Sequence, residues 1–180
     1  MNLTSTPPLE LTIRKATVDD LLTLSELGQI TFIESHGHSA PKNDIAEYIR
    51  LNYTIDKFKE ELANTENHYY LIFKEKTAVG FSKVCMNNKH NSVDSTNVAK
   101  LERLYVLKEH HDQSLGYQLF NFNIKLCKKL DQVGIWLNVW TENTRAINFY
   151  RKVGFKKIGE YNFKISPTHS NPNHQLFLRF

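Results

Sequence analysis

The chain has 180 residues and a mass of 21.0 kDa, which is enough for one domain with one continuous core. Hydrophobic residues make up 41% of the chain and charged residues 23%, a balance that excludes a disordered chain, a collagen-like chain and a disulfide scaffold. No run of about eighteen apolar residues is present to span a membrane, and Met1 to Glu10 lacks the apolar block of a signal peptide. Cys85 and Cys127 lie in apolar segments and are interpreted as buried thiols, with a disulfide between them left open. We therefore predict a single domain over residues 1–180 in the cytoplasm.

The charges divide unevenly along the chain. Residues 1–65 hold ten acidic and six basic groups, a net charge of −4, whereas residues 66–180 hold nine acidic and seventeen basic groups, a net charge of +8. Such a chain can receive a cation and an anion at one cleft, although a chance division over the surface gives the same counts. Nucleic-acid binding needs a denser basic stripe than Lys125, Lys128 and Lys129 supply, so we expect no nucleic-acid partner.

The first half of the chain is predicted to contain a strand, three helices and two strands. Leu9 to Arg14 alternates as a strand does, and Thr17 with Asp20 forms a capping-box pattern that begins a helix. The apolar face of that helix is predicted to be Val18, Leu21, Leu22, Leu24 and Leu27. Residues 34–43, which contain two histidines, a glycine and a proline, are predicted to form a loop. The remaining elements are helices over 44–51 and 54–62 and strands over 68–74 and 78–87.

The second half is predicted as a β-α-β-α-β run that follows a polar hairpin loop over 87–97. Its elements are a strand over 99–106, a helix over 113–130, a strand over 135–140, a helix over 144–153 and closing strands over 155–165 and 175–180. The apolar face of the long helix is predicted to be Leu115, Leu119, Phe122, Leu126 and Leu130. The fold class is therefore mixed α/β.

Two segments of this half carry the pattern of a site. In the first, a strand over 101–106 turns directly into the N-terminus of a helix, whose free N–H groups and dipole favour a phosphate, and Gly116 lets the backbone approach closely. In the second, Asn143 is placed to cap a helix, Tyr150 lies two turns further on the same face, and Gly154 is placed to end the helix. Each segment alone is also compatible with an ordinary structural corner.

Together the two segments resemble the GNAT superfamily of acetyl-CoA-dependent N-acetyltransferases, most strongly from Leu101 to Phe155. The pattern Asn-x-x-Ala-x-x-x-Tyr-x-x-x-Gly-Phe over 143–155 matches the family without departure. In the pyrophosphate loop, by contrast, His111 stands where the family usually has Gln or Arg, and Ser114 replaces the first glycine. The resemblance implies a central twisted mixed sheet of about seven strands flanked by helices, and acetyl-CoA as the co-substrate.

The resemblance also implies residue roles. Tyr150 would be the general acid that protonates the departing CoA thiolate, and Glu102 the general base for the acceptor amine, directly or through water. Residues predicted to contact the cofactor are Leu104, Tyr105 and Val106 at the thioester, His111, Asp112, Gln113, Ser114, Leu115, Gly116 and Tyr117 at the pyrophosphate, and Asn143, Ala146 and Lys152. Strand alternation would place Glu102 with Leu104 and Val106 on the cleft side if no bulge intervenes. A surface ion pair is the alternative for Glu102.

No metal site is predicted. His36 and His38 in one segment, and His110 and His111 in another, lack cysteines at zinc spacing, and we interpret them as solvated loop residues. Tyr69 and Tyr70 are weaker candidates for the polar group that serves the amine.

Within the superfamily the sequence is similar to the bacterial polyamine and diamine acetyltransferases, which implies a small-molecule amine such as spermidine or spermine as the acceptor. The acidic first part agrees with a cationic acceptor, with Glu34, Asp44 and Glu47 as the attracting carboxylates. A protein N-terminus, a lysine side chain, or a CoA-binding regulator without catalysis are the alternatives. The resemblance allows a homodimer and implies no membrane partner.

Overall fold

A computed structural model describes residues 10–180, which fold around one seven-stranded sheet. The strand order is β1-β2-β3-β4-β5-β7-β6, and every neighbouring pair is antiparallel except β4 and β5. The strands are β1 Leu11–Lys15, β2 Asn67–Lys74, β3 Thr77–Cys85, β4 Ala99–Val106, β5 Gly134–Trp140, β6 Lys156–Lys164 and β7 Ser170–Arg179. The predicted mixed α/β class is confirmed.

Five α-helices flank the sheet. They are α1 Leu21–His36, α2 Lys42–Asn52, α3 Ile55–Ala63, α4 Leu115–Lys129 and α5 Thr144–Lys152. The predicted capping box forms: Thr17 accepts from the Asp19 N–H, and Asp20 accepts from the Thr17 N–H at 2.8 Å. Gly154 follows α5 at φ 99°, as the predicted helix stop requires.

Most predicted elements lie within a few residues of the observed ones, and β4 matches at both ends. The predicted start of β1 at Leu9 lies outside the described residues. Two predictions are wrong. The loop over 34–43 is shorter than expected, because α1 continues through His36 and α2 already begins at Lys42. The last strand begins at Ser170 rather than Gln175, since a polar segment is held there by partners on both sides, β5 and β6.

Helices α1 to α3 pack on one face of the sheet, and α4 and α5 pack on the other. The first core gathers around Phe32, Phe58 and Phe81, and the second joins Phe120 of α4 to Tyr150 of α5. Burial of these apolar side chains, at about 25 cal/mol per Å², is the main force that holds the helices to the sheet.

The apolar faces of two helices were assigned wrongly in part. Val18, in the short 3₁₀ turn before α1, and Leu22, on α1, are 65% and 59% exposed. The small residues Ser25 and Gly28 of α1 are buried instead, because Tyr53 packs against them. On α4 the buried residues are Leu115, Leu119, Phe120, Asn123 and Cys127. Of the other predicted residues, Leu126 packs against the edge of the core and Phe122 packs on Tyr70, whereas Leu130 is 40% exposed.

Two irregularities of the sheet shape the centre of the molecule. Strands β4 and β5 pair only at Ala99 with Ile135 and at Lys100 with Trp136, and beyond these pairs they separate. On its other side β4 carries a bulge, because Lys83 lies opposite Arg103 while Val84 lies opposite Leu101. Glu102 is therefore the extra residue of the bulge.

Candidate active site

A cleft of about 1430 Å³ runs from the N-terminus of α4, through the gap between β4 and β5, to the C-terminal end of α1. The structure brings nearly all of the predicted site residues into this one cleft. They are Glu102, Leu104, Tyr105, Val106, His111, Asp112, Ser114, Leu115, Gly116, Tyr117, Asn143, Ala146, Tyr150 and Lys152. Gln113 does not line the cleft: its side-chain oxygen accepts a hydrogen bond from the Lys74 ammonium at 3.1 Å.

The loop before α4 has the backbone of an anion-binding turn. Asp112 and Ser114 both lie in the left-handed region, at φ 55° and 59°. The first N–H groups of α4 have no intrahelical partner and carry the positive end of the helix dipole. A Cβ placed on Gly116 would meet no atom within 4 Å, so the backbone here borders open space in the cleft. Together these features leave room for a phosphate against the helix N-terminus.

A cationic side chain that the sequence did not indicate, that of Arg145, reaches this loop. The guanidinium of Arg145, on α5, contacts His111 Nδ1 and lies 3.5 Å from Asp112 Oδ1. His111 Nε2 in turn lies 3.0 Å from the Val106 carbonyl oxygen, so its ring is held between β4 and α5. Burial and the neighbouring guanidinium lower the pKa of His111, which keeps the imidazole neutral at neutral pH. Arg145 follows Asn143 by two residues in the matched pattern, and that proximity was the available signal.

Tyr150 lies beside the gap with its ring packed between Phe149 and Phe155. Its hydroxyl makes no hydrogen bond with any described residue and is not sealed from solvent, although the residue as a whole is buried. Burial raises the pKa of Tyr150, so the hydroxyl stays protonated at neutral pH. The same helix is capped by Asn143, whose side-chain oxygen accepts from the Ala146 N–H at 3.1 Å.

Glu102 belongs to a network of partly buried charges. The bulge places Glu102 and Arg103 on the face of the sheet that α3 covers, whereas Leu104 packs with the core of α4 and α5. The condition for strand alternation to put Glu102 on the same face as Leu104 and Val106, an unbroken strand, is therefore not met. The Lys83 ammonium donates to Glu102 at 2.7 Å and contacts Glu61 of α3 at 3.1 Å, and the Arg103 guanidinium donates to the same Glu61 at 2.9 Å. Lys83 and Lys100 lower the pKa of Glu102 to about 2 despite its burial.

The two tyrosines named as weaker candidates do not serve the cleft. The Tyr69 hydroxyl contacts Glu61 and Arg103 inside this network, and burial raises the pKa of Tyr69. Tyr70 packs on Phe122 of α4, with ring centroids 4.6 Å apart. Neither residue lines the cleft.

The far end of the cleft is aromatic, which the sequence did not reveal. Phe32 and His36 of α1 line it, as do residues from the strands and from α2. His36 was interpreted as a solvated loop residue, and this is wrong: it is helical and mostly buried, and burial with the charge of His38 lowers its pKa to about 4. The sequence gives no sign of this, because His36 stands directly before Gly37 in a segment predicted to be a loop, whereas α1 continues through His36.

Of the three carboxylates expected to attract a cation, Glu34 lines the cleft and accepts from the Lys108 N–H at 2.9 Å. Asp44 accepts from Ser166 instead, and Glu47 is paired with Arg50, both away from the cleft. A carboxylate that the sequence analysis did not name, Glu142, also lines it.

Both cysteines are buried free thiols, and burial raises the pKa of each to about 12. Within residues 10–180 no group of three or more potential ligands is placed to hold a metal ion. No helix in the same range is long and apolar enough to cross a membrane.

The geometry agrees with what comparison with known proteins finds. A profile of the acetyltransferase (GNAT) family matches residues 31–155, more than half of the chain. The chain belongs to this family. As a GNAT N-acetyltransferase it is an enzyme of acetyl transfer, and the separated β4 and β5 are the part of the GNAT fold in which its cleft lies.

Three GNAT relatives are informative. A spermidine N(1)-acetyltransferase of Thermoplasma acidophilum is 26% identical over 152 residues, which cover 82% of this chain and 89% of that protein. A Bacillus subtilis protein described as a ribosomal protein bS18-alanine N-acetyltransferase is 31% identical over 108 residues, which cover 59% and 66% of the two chains. The crystal structure of the PaiA N-acetyltransferase of Thermoplasma acidophilum with coenzyme A superposes with a TM-score of 0.77, at 23% identity, covering 96% of this chain and 100% of that one. The superposition confirms the fold.

Proposed function

We propose that this GNAT enzyme transfers the acetyl group of acetyl-CoA to a primary amine of a polyamine such as spermidine or spermine. The observation that carries the proposal is the single cleft that joins an anion-binding helix N-terminus to an aromatic end, with two carboxylates among its lining residues. One end suits a pyrophosphate and the other suits a cation, and the gap between β4 and β5 connects them.

The residues of the first end fit coenzyme A. Gly116 opens the backbone of α4 to the cleft, and Arg145 and Lys152 place two cations there. The gap between β4 and β5 accommodates an extended chain beside Leu104 and Val106. When bound, acetyl-CoA supplies an activated thioester. The CoA complex of the Thermoplasma PaiA structure supports this assignment by analogy of fold.

Tyr150 is proposed as the general acid. Its raised pKa keeps the hydroxyl protonated, and the hydroxyl opens into the cleft without a protein partner, so it is free to donate to the departing thiolate. The amine attacks directly while both substrates are bound. Neither cysteine lines the cleft and both thiols have raised pKa values, which disfavours an acetyl-cysteine intermediate.

The acceptor ammonium must lose a proton, and Glu102 remains the proposed base. Its carboxylate lines the cleft, yet Lys83 and Lys100 hold its pKa at about 2, far below that of an efficient base at neutral pH. A relay through water is therefore better supported than direct abstraction, because the carboxylate then acts mainly by orienting the water.

Polyamine is preferred to other amines because two carboxylates line the cleft. Glu34 and Glu142 line the cleft, and neither forms an ion pair with a residue in the range 10–180. Two unpaired carboxylates suit a chain with more than one ammonium group. The spermidine N(1)-acetyltransferase of Thermoplasma supports the same class. The alternative acceptor is a protein N-terminus, which the bS18-alanine relative favours.

The test is release of free thiol from acetyl-CoA with spermidine, spermine, diamines, an amino sugar and short peptides. We expect turnover with polyamines that falls by about 10²-fold or more in Tyr150→Phe. Tyr161→Phe, which changes an exposed tyrosine of β6, is the matched control and keeps the wild-type rate. Turnover with peptides alone would contradict the polyamine proposal. CoA binding without turnover on any amine would favour the regulator.

A further inference from the structure

The aromatic end of the cleft is a continuous wall of rings rather than a scatter of apolar side chains. The Phe32 ring stacks on His36 with centroids 5.0 Å apart and on Tyr48 at 4.8 Å. The His36 ring also contacts Trp140 at 5.9 Å and Tyr105 edge-on at 6.5 Å. All five residues line the cleft, and their ring faces are an environment that attracts an ammonium group.

His36 holds the central place in this wall. Tyr105 belongs to β4 and Trp140 to β5, the two strands that separate, so a ring that contacts both stands over the mouth of the gap. In the proposed function the thioester lies in that gap. An amine that rests against His36 is therefore next to the acetyl group that it attacks.

The nitrogen atoms of His36 have no hydrogen-bond partner among residues 10–180. Nδ1 is buried and makes no hydrogen bond, and Nε2 makes none with the described residues but is not buried. Nε2 is thus the polar atom of this side chain that is open to the cleft. Because no described residue competes for it, Nε2 is available to a ligand in the cleft.

The position of His36 is fixed by a set of hydrogen bonds at the end of α1. His169 Nε2 lies 2.8 Å from the Ser39 carbonyl oxygen, and the Asn171 amide donates to the Ser39 hydroxyl at 2.8 Å. Ser166 donates to Asp44 at 2.9 Å, so the β6–β7 hairpin is attached to α2 as well. Because these bonds hold the segment after α1, the wall is preorganised rather than formed by the ligand.

We propose that His36 is an acceptor-binding residue: its Nε2 accepts a hydrogen bond from the amine nitrogen that becomes acetylated, while the surrounding rings hold the ammonium and the methylene groups next to it. The inference rests on the proposed acetyl transfer to an amine and adds the group that orients the nitrogen. The depressed pKa of His36 supports it, since a neutral imidazole does not repel a cation and keeps a lone pair for it.

The experiment compares His36→Phe, which keeps the stacked ring and removes both nitrogen atoms, with His36→Gln, whose side-chain oxygen replaces the Nε2 acceptor. His174→Phe is the matched control, because His174 also has a buried Nδ1 without a partner but does not line the cleft. Steady-state kinetics are measured against acetyl-CoA and against the amine that the wild type acetylates best. Melting temperatures are recorded for all four proteins.

We expect His36→Phe to raise the KM for the amine at least tenfold, with the KM for acetyl-CoA and the melting temperature at wild-type values. His36→Gln should recover part of the loss, and His174→Phe should leave the KM for the amine unchanged. An unchanged amine KM in His36→Phe would overturn the inference, as would an equal rise in His174→Phe. A preferred peptide in place of a polyamine overturns only the proposed acceptor, since the variants are then compared on that peptide. Absence of turnover by the wild type on every amine overturns both.

Discussion

Ser114 occupies a backbone position that suits glycine, at φ 59° and ψ 12° immediately before α4. This conformation costs a residue with a Cβ about 1–2 kcal/mol, and the greater freedom of glycine in the unfolded chain offsets about 0.5–1 kcal/mol of that cost. The Ser114 hydroxyl makes no capping hydrogen bond, so its removal breaks none. Ser114→Gly should therefore raise the free energy of unfolding by about 0.5–1 kcal/mol. At this chain length the melting temperature should rise by about 1–4 °C.

The assay is thermal unfolding by calorimetry, in the presence and absence of coenzyme A. Ser114→Ala is the control, because it removes the hydroxyl and keeps the Cβ, and its melting temperature should stay at the wild-type value or slightly below. A melting temperature of Ser114→Gly at or below that of Ser114→Ala would refute the argument from backbone strain. Coenzyme A should still stabilise both variants, since Gly116 and the helix N-terminus are unchanged.

Two further predictions concern charge. The pKa of Glu102 is lowered in the folded protein, so its ion pairs stabilise the fold above about pH 4.5, and this contribution is lost as the pH falls towards 2. Because the Glu102 side chain is 30% exposed, screening by solvent reduces the loss to about 1–2 kcal/mol. Glu102→Gln should flatten this part of the acid-unfolding profile, and a profile as steep as that of the wild type would contradict the prediction. Glu160→Gln is the control: Glu160 also has a lowered pKa beside Lys157, but this pair is exposed to solvent, so the profile should change much less. Arg145→Ala should raise the Kd for coenzyme A about tenfold in a calorimetric titration, because a charge-assisted contact is lost. Arg151 does not line the cleft, so Arg151→Ala is the control and should leave the Kd unchanged. Equal Kd values for Arg145→Ala and the wild type would show that Arg145 does not bind coenzyme A.

The end of the cleft proposed to hold coenzyme A was largely predictable because its residues lie in two continuous segments, and the backbone of each follows local rules. A helix N-terminus, its cap and its stop are decided within a few residues, and the capping by Asn143 and the stop at Gly154 are both observed. Arg145 was missed because its contact with His111 joins residues 34 positions apart, and its proximity to Asn143 in the sequence does not show that its side chain turns towards the loop.

The aromatic end of the cleft was poorly predicted because its residues come from distant parts of the chain. His36 contacts Tyr105 and Trp140 only after the sheet has formed, and periodicity carries no information about such contacts. The face of the sheet on which Glu102 lies could not be predicted for a related reason. A bulge shifts the alternation of side chains along β4 by one residue, and the position of the bulge depends on the pairing of β4 with β3. Among the expected carboxylates, Asp44 and Glu47 lie away from the cleft, where Asp44 accepts a hydrogen bond from Ser166 and Glu47 pairs with Arg50.

The narrow junction between β4 and β5 divides the molecule into two parts along the chain as well as in space. Strands β1 to β4 precede it, strands β5 to β7 follow it, and within residues 10–180 two residue pairs join the two groups in the sheet. A ligand that enters the gap contacts both parts, so it contributes to their cohesion in addition to being bound. Amide hydrogen exchange should therefore slow on both sides of the junction when the gap is filled, and the two parts should then open together rather than separately.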